Sequence, residues 1–346
     1  MKNFQVAFTR DFLDESGELS YGDIGLQILD ESPLVSYRFH DSYAQTVIPA
    51  QIADTDGLVI IYPHITQETF AQGAERLVFI GRCGVGYDRI DLETCTENDV
   101  ALLNAPDAIR TPTAAGSLMF MLALSKRLTA MDKIVRKGRW DEVGKLRGVE
   151  LNDRTLGIVG LGNSGRELAR LVAPFAMRLL AYSPHAAPEQ AKALNVELVS
   201  LQTLLREADF ICLHCRLTPE TEGLIGDKEL ALMKHSAYLI NMARGPIINH
   251  KALVRALQEK QIAGAALDVF YTEPLPAEDP ITELDNVILA PHQTAGTLDV
   301  YYNAGATNCR AMIQAARGEL PPHIVNRDVI DRRGFQAKLA RFQENI

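Results

Sequence analysis

Three polar residues stand just beyond apolar runs in the second half of the chain: Arg244 after "YLINMA", Glu273 after "GAALDVFYT" and His292 after "NVILAP". In open α/β sheets ligands bind outside the carboxyl ends of the strands, so polar groups at such places carry the most chemical weight. An imidazole titrates near neutrality and can give or take the hydroxyl proton at a carbon that exchanges a hydride. A carboxylate beside it favours the imidazolium and fixes its tautomer, a role open to Glu273. A guanidinium is always charged and can grip a carboxylate with two parallel hydrogen bonds while polarising the adjacent carbonyl, a role open to Arg244. Each residue also has an ordinary alternative: a strand-end histidine often only packs, Arg-Gly is often a turn, and Glu-Pro is often a solvated loop. Their occurrence together at successive strand ends, downstream of a glycine-rich loop, favours a site. His185, His214, His235 and His250 lack comparable company and are expected to be structural or surface residues.

These residues need elements to hold them. "TLGIVGLGNSGREL" places Gly160, Gly162 and Gly165 between an apolar strand and a helix expected to start near Ser164. The first glycine permits a tight turn, the second a close backbone approach to a pyrophosphate and the third close helix–strand packing, with free N–H groups aimed at the phosphates. From Arg154 on, six apolar runs ("TLGIVGLG", "MRLLAYS", "ADFICLHC", "AYLINMA", "AGAALDVF", "NVILAPH") alternate with helix-like stretches and predict a doubly wound parallel sheet. Before residue 105, "FQVAF", "LVSYRF", "GLVIIY", "RLVFIG" and "VALLN" predict a smaller α/β domain of the same kind. Between them "TPTAAGSLMFMLALSKRL", Thr111 to Leu128, reads as a long apolar helix with Pro112 near its first turn, buried between domains or subunits. After Pro291 a helix is expected over roughly Leu298 to Arg317, followed by a polar tail. The glycine loop falls mid-chain, so a nucleotide-binding domain at 107–297 is read as inserted into a substrate domain made of 1–106 and 298–346.

The 346 residues, 47% hydrophobic and 23% charged, have globular composition. A net charge of −9 creates no field that would draw a phosphate backbone or an anionic membrane, so neither nucleic acid nor membrane is expected as a partner. Cys83, Cys95, Cys212, Cys215 and Cys309 show no paired zinc spacing; reduced thiols and no metal site are expected. The first residues turn acidic before any signal-like apolar run, and no stretch of about eighteen apolar residues occurs. A cytoplasmic, unsecreted protein is expected.

In "RLLAYSPH", Ser183 ends the second strand after the glycine loop, where an acidic residue usually holds the adenosine ribose and repels a 2′-phosphate. Serine does neither strongly. Arg216, after a nearby strand, could turn a cation toward a 2′-phosphate and His185 could assist, so tolerance of NADP is predicted; the alternative is that Arg216 points to solvent and NAD is held through backbone contacts.

From about Leu77 to Asn326 the chain resembles the D-isomer-specific 2-hydroxyacid dehydrogenase family, with "GRCGVGYDRIDL", "LNAPDAIRTP", "GIVGLGNSGRE", "LHCRLTPETEGLI", "INMARGPII", "ALDVFYTEPL" and "APHQTAGT" in family order. The resemblance implies a Rossmann nucleotide-binding domain inserted into a discontinuous flavodoxin-like substrate domain, a substrate cleft that closes, and a homodimer formed through the nucleotide domain. It implies interconversion of a D-2-hydroxy acid and its 2-oxo acid with NAD or NADP. Arg244 would bind the substrate carboxylate and carbonyl, Glu273 would pair with His292, and His292 would donate the proton in reduction. Gly84, Val85 and Gly86 would present N–H groups to the carboxylate, and Asp268 would meet the nicotinamide carboxamide. The full cofactor set expected is Gly160, Gly162, Asn163, Ser164, Gly165, Ser183, Cys215, Arg216, Thr221, Met242 and Asp268.

The chain departs from the family pattern at Ser164, where Ile is common, at Arg216, where Pro is common, and at Ala115, where Glu is common. Tyr62, His64, Tyr87 and Arg110 are candidates for the distal end of the substrate. Rival readings are a dinucleotide-binding corepressor or scaffold on the same fold, and a dehydrogenase acting on formate or phosphite.

Overall fold

A computed structural model describes residues 3–343. The chain divides into two compact units, Met1–Ile109 with Thr297–Ile346, and Arg110–Gly296.

The first unit is built on β1 (Phe4–Phe8), β2 (Val35–Phe39), β3 (Gly57–Ile60), β4 (Phe79–Arg82) and β5 (Ala101–Leu103), all parallel, in the order β2-β1-β3-β4-β5. Alternation fills both faces: Phe4, Val6, Phe8, Val59 and Phe79 enter one apolar layer, and Ala7, Leu58, Ile60 and Ile80 enter the other. Strands buried on both sides need continuous apolar runs, which is why these segments stand out in the sequence.

The end of the chain is not merely a polar tail. The helix at Leu298–Ala316 is followed by a shorter one at Arg333–Ala340, whose Phe335 and Leu339 join Met312 and Cys309 in the core of the first unit. Asn326 borders β5, its amide oxygen accepting from Leu102 N at 2.8 Å while its nitrogen donates to Val100 O at 2.9 Å. Lys338 donates to the carbonyls of Leu77 and Asn98, and burial pushes its ammonium down to about 8. Two large apolar residues, Phe335 and Leu339, in an octet of otherwise small or polar residues make too thin a stripe to announce this helix.

The second unit carries β6 (Thr155–Val159), β7 (Arg178–Tyr182), β8 (Val196–Leu198), β9 (Phe210–Leu213), β10 (Tyr238–Asn241), β11 (Gly264–Leu267) and β12 (Val287–Leu289). Their order is β12-β11-β10-β9-β6-β7-β8, again all parallel, with the direction of winding reversing between β6 and β9. β8 adds a seventh strand to the six read from the sequence; it spans three residues, of which only Val196 is buried.

The apolar helix α1 (Pro106–Ser125) starts earlier than its apolar pattern suggests, because Pro106 supplies a favoured first helical position; Pro112 lies inside the helix, not at its start. Further on, α2 (Leu128–Arg136), α3 (Asn163–Leu171) and α4 (His250–Gln258) follow. Among the described residues no helix is long and apolar enough to cross a membrane.

Candidate active site

His292 lies beyond β12 with φ +54°, a left-handed backbone that costs an ordinary residue roughly 1–2 kcal/mol. Asp268, at the end of β11, explains how this turn is held. Its Oδ1 accepts from the backbone N–H of Gln293 at 3.0 Å, from that of Thr294 at 3.1 Å and from the Thr294 hydroxyl at 2.7 Å. Hydrogen bonds to a charged acceptor contribute about 1.5–3 kcal/mol each, enough to offset the strain. Asp268 is 3% exposed, and burial raises its pKa against the opposing pull of those bonds. Thr294 and Met242 also press on α1 at Gly116, where a Cβ would come within 2.7 and 2.9 Å of their side chains.

The imidazole that this turn presents is paired: His292 Nδ1 lies 2.9 Å from Glu273 Oε2, and Glu273 Oε1 accepts from Phe270 N at 3.1 Å. The carboxylate therefore favours a proton on Nδ1 and leaves Nε2 at the other side of the ring. The histidine side chain is 43% exposed, so that nitrogen can meet a ligand.

Arg244 leaves β10 in an extended conformation. Asn241, buried, donates from Nδ2 to Arg244 O at 2.9 Å and accepts from Ala243 N at 3.0 Å, fixing the turn that carries the guanidinium. One guanidinium nitrogen, Nη1, donates to Ala243 O at 2.7 Å.

The glycine loop fits a dinucleotide. Gly160 has φ +98°, and a Cβ there would lie 2.5 Å from Cys215 N; a Cβ at Gly165 would collide with Gly160 O. At Gly162 a Cβ meets nothing within 4 Å, so the loop backbone borders open space where phosphates could lie. Gly162 caps α3, whose unpaired first N–H groups give a partial positive charge to that space. Asn163 Oδ1 accepts from Arg166 Nη2 at 2.9 Å, and Arg166 Nη1 donates to Gln190 Oε1 at 2.7 Å. Arg166 carries no motif signal, since an arginine in the first turn of a helix is usually a surface residue.

Comparison with known proteins agrees with this geometry. A family model described as the NAD-binding domain of D-isomer-specific 2-hydroxyacid dehydrogenases matches residues 118–294. A glyoxylate reductase of Korarchaeum cryptofilum is 38% identical over 299 residues, covering 85% of this chain and 90% of that protein. The chain belongs to the D-isomer-specific 2-hydroxyacid dehydrogenase family. A D-3-phosphoglycerate dehydrogenase of Methanocaldococcus jannaschii is 40% identical over 277 residues, 80% of this chain but only 52% of that longer protein. Among solved structures, a D-lactate dehydrogenase of Aquifex aeolicus complexed with NAD and lactic acid superposes with a TM-score of 0.78 at 28% identity, covering 91% of this chain and 96% of that one. The protein is thus a D-2-hydroxyacid dehydrogenase, an NAD-dependent oxidoreductase.

In this dehydrogenase the other expected cofactor residues lie around the same sheet end. Ser183 follows β7 and its carbonyl accepts from Ala186 N. Arg216 is exposed, and Thr221 Oγ1 donates to its carbonyl at 2.6 Å, closing the loop after β9. That loop also carries Glu220, whose carboxyl is held low by Thr218 first and, less strongly, by the nearby His185. His185 thus has an acidic neighbour that spacing alone did not reveal.

Two histidines set aside in the sequence have partners after all. His250 Nε2 lies 2.8 Å from Asp279 Oδ2 and its ring centroid 4.3 Å from that of Tyr271, whose hydroxyl donates to the same carboxylate oxygen. His214 lies between Ser117 and Ser164.

In the first unit, Gly84 has φ +146° and its N–H donates to Arg82 O, so Val85 and Gly86 remain for the amide role expected of Gly84–Gly86. Among the distal candidates, burial first of all raises the Tyr62 phenol to about 12. Arg110 lies 3.7 Å from Glu167, an ion pair within the second unit. His64 pairs through its backbone with Gln45 and Val47. Among the described residues no group of three or more His, Cys, Asp or Glu is placed to hold a metal. All five cysteines are free.

Proposed function

We propose that the enzyme reduces a small 2-oxo acid to its D-2-hydroxy acid, and catalyses the reverse, with His292 as proton donor and acceptor. The observation that carries this reading is the 2.9 Å contact between His292 Nδ1 and Glu273 Oε2 on a turn built to present the imidazole. Bound at the 160–165 loop, the nicotinamide cofactor supplies or accepts the hydride. Arg244 grips the substrate carboxylate and polarises the carbonyl. As hydride reaches the carbonyl carbon, His292 Nε2 gives its proton to the oxygen and Glu273 stabilises the imidazole orientation throughout. Asp268 holds the 292–294 turn. Asp268 would also orient the carboxamide end of the cofactor.

The glyoxylate reductase and phosphoglycerate dehydrogenase relatives direct attention to glyoxylate and hydroxypyruvate as substrates. Ser183 and Arg216 support use of NADP alongside NAD, with Glu220 opposing it. Exposed Leu128, Met131, Val135, Trp140 and Val143 give the second unit an apolar face suited to a second copy, which supports a homodimer. The free cysteines suit a reducing cytoplasm. The intact His–Glu pair weighs against a catalytically silent corepressor.

The deciding experiment is a screen of NADH- and NADPH-dependent reduction over glyoxylate, hydroxypyruvate, pyruvate and longer 2-oxo acids, with formate and phosphite oxidation alongside. The expected result is turnover of a 2-oxo acid that His292→Ala abolishes. Equal rates for wild type and variant would overturn the proton-donor assignment, and strict use of NADH would remove the NADP reading.

A further inference from the structure

His214 follows β9 directly, at the point where the winding of the second sheet reverses. Its Nε2 lies 3.1 Å from the Ser117 hydroxyl on α1, and its Nδ1 lies 3.0 Å from the Ser164 hydroxyl in the first turn of α3. Burial pushes the imidazole pKa down to about 4, so at neutral pH it carries a single N–H.

A count of protons shows what this chain of groups can do. Ser117 also donates to Thr113 O at 3.2 Å, and a carbonyl can only accept. When the one Ser117 proton goes to Thr113, His214 must donate from Nε2, Nδ1 becomes an acceptor, and the Ser164 proton points inward to it. Ser164 then shows only lone pairs to the space at the head of α3, the wrong face for a phosphate. In the alternative arrangement Ser117 donates to Nε2, Nδ1–H donates to Ser164, and the Ser164 proton is free to point outward. The change gives up only a side-chain bond to a helical carbonyl that already accepts a backbone N–H one turn on.

We propose that Ser117, His214 and Ser164 form a tautomer-coupled hydroxyl switch for the cofactor pyrophosphate: dinucleotide binding turns the Ser164 O–H outward onto a phosphate oxygen, and the imidazole proton is relocated from Nε2 to Nδ1. Each hydroxyl and the imidazole keep one proton, so no proton is taken up or released. This rests on the reading of residues 160–165 as the pyrophosphate cradle. His214 and Ser117 act as positioning residues; neither touches the cofactor.

Nitrogen NMR of protein labelled with ¹⁵N-histidine, with the signal assigned by His214→Asn, reports which ring nitrogen is protonated. Nε2–H is expected without ligand and Nδ1–H with saturating NADH or ADP, at any pH between 6 and 8 (~2 units above the His214 pKa and beyond). Ser164→Ala is expected to weaken NADH and ADP binding by about tenfold, from the usual worth of a hydrogen bond to a charged group. Adenosine, which has no pyrophosphate, should bind both proteins equally, and Ser164→Thr should restore NADH affinity.

The same protonated nitrogen with and without NADH would overturn the switch, as would unchanged NADH affinity in Ser164→Ala. Failure of the wild type to bind ADP or NADH at all would instead remove the cradle reading on which the switch depends.

Discussion

His292 and His214 both stand just past the carboxyl end of a strand in the same sheet, yet their surroundings separate them completely. His292 is 43% exposed, sits on a left-handed turn and faces a carboxylate. His214 faces two hydroxyls, and burial takes its pKa to about 4. A carboxylate and access to solvent make an imidazole that can carry a proton through turnover. Neutral partners and burial make one that can choose a tautomer but not a charge. Position in the fold nominates both residues; the groups within about 3 Å decide what each can do.

The strongest test of this contrast is on turnover. His292→Ala should lower the rate of 2-oxo acid reduction by roughly a hundredfold to ten-thousandfold, the usual contribution of a positioned acid or base. His214→Asn, measured at saturating NADH, should stay within about tenfold of wild type, because its effect is confined to one cofactor hydrogen bond. Similar losses in the two variants would erase the distinction.

Glu273→Gln comes next. It keeps the shape of the partner but removes the charge that orients the imidazolium, so steady-state turnover should fall on the order of a hundredfold with little change in melting temperature.

A stability effect follows from the anchor beneath His292. Asp268→Ala removes three hydrogen bonds from the 292–294 turn and should lower unfolding free energy by about 2–4 kcal/mol in urea titrations. Unchanged stability would mean that the turn is held by packing instead.

The smallest effect is one of pH. His214 has a folded pKa of about 4, below its unfolded value of about 6.5, so the unfolded chain binds the extra proton first. Its contribution is intact above about pH 6.5 and is lost as pH falls toward 4, by up to about 3 kcal/mol. Urea unfolding at pH 7, 5.5 and 4.5 should therefore show a steeper loss in wild type than in His214→Asn. Equal slopes would show that the imidazole is not insulated from water.

Much of this arrangement can be read along the chain because parallel strands covered on both faces leave dense apolar runs, and because the polar groups nominated for the site come at their ends. Arg244, Glu273 and His292 are visible for that reason. β8 escapes because a three-residue edge strand with one buried side chain leaves no pattern. The partners of His214 escape for a different reason: Ser117 is 97 residues away and Ser164 is 50, and a serine at either place has no periodicity of its own. His250 and Asp279, 29 residues apart, pair across a loop and give no local sign either. Pairings of this kind exist only once the fold has brought remote segments together.

The return of residues 297–343 to the first unit also sets an order in time. While the ribosome is making residues 110–296, β5 still lacks Asn326 on its border, and the layer around Phe79 still lacks Phe335 and Leu339. The inserted unit can close as soon as it is released, while the unit begun first must wait with its apolar face open until the helix at Arg333–Ala340 has emerged. Its edge is therefore the part of the newborn chain most exposed to chaperones and to pairing with the wrong neighbour.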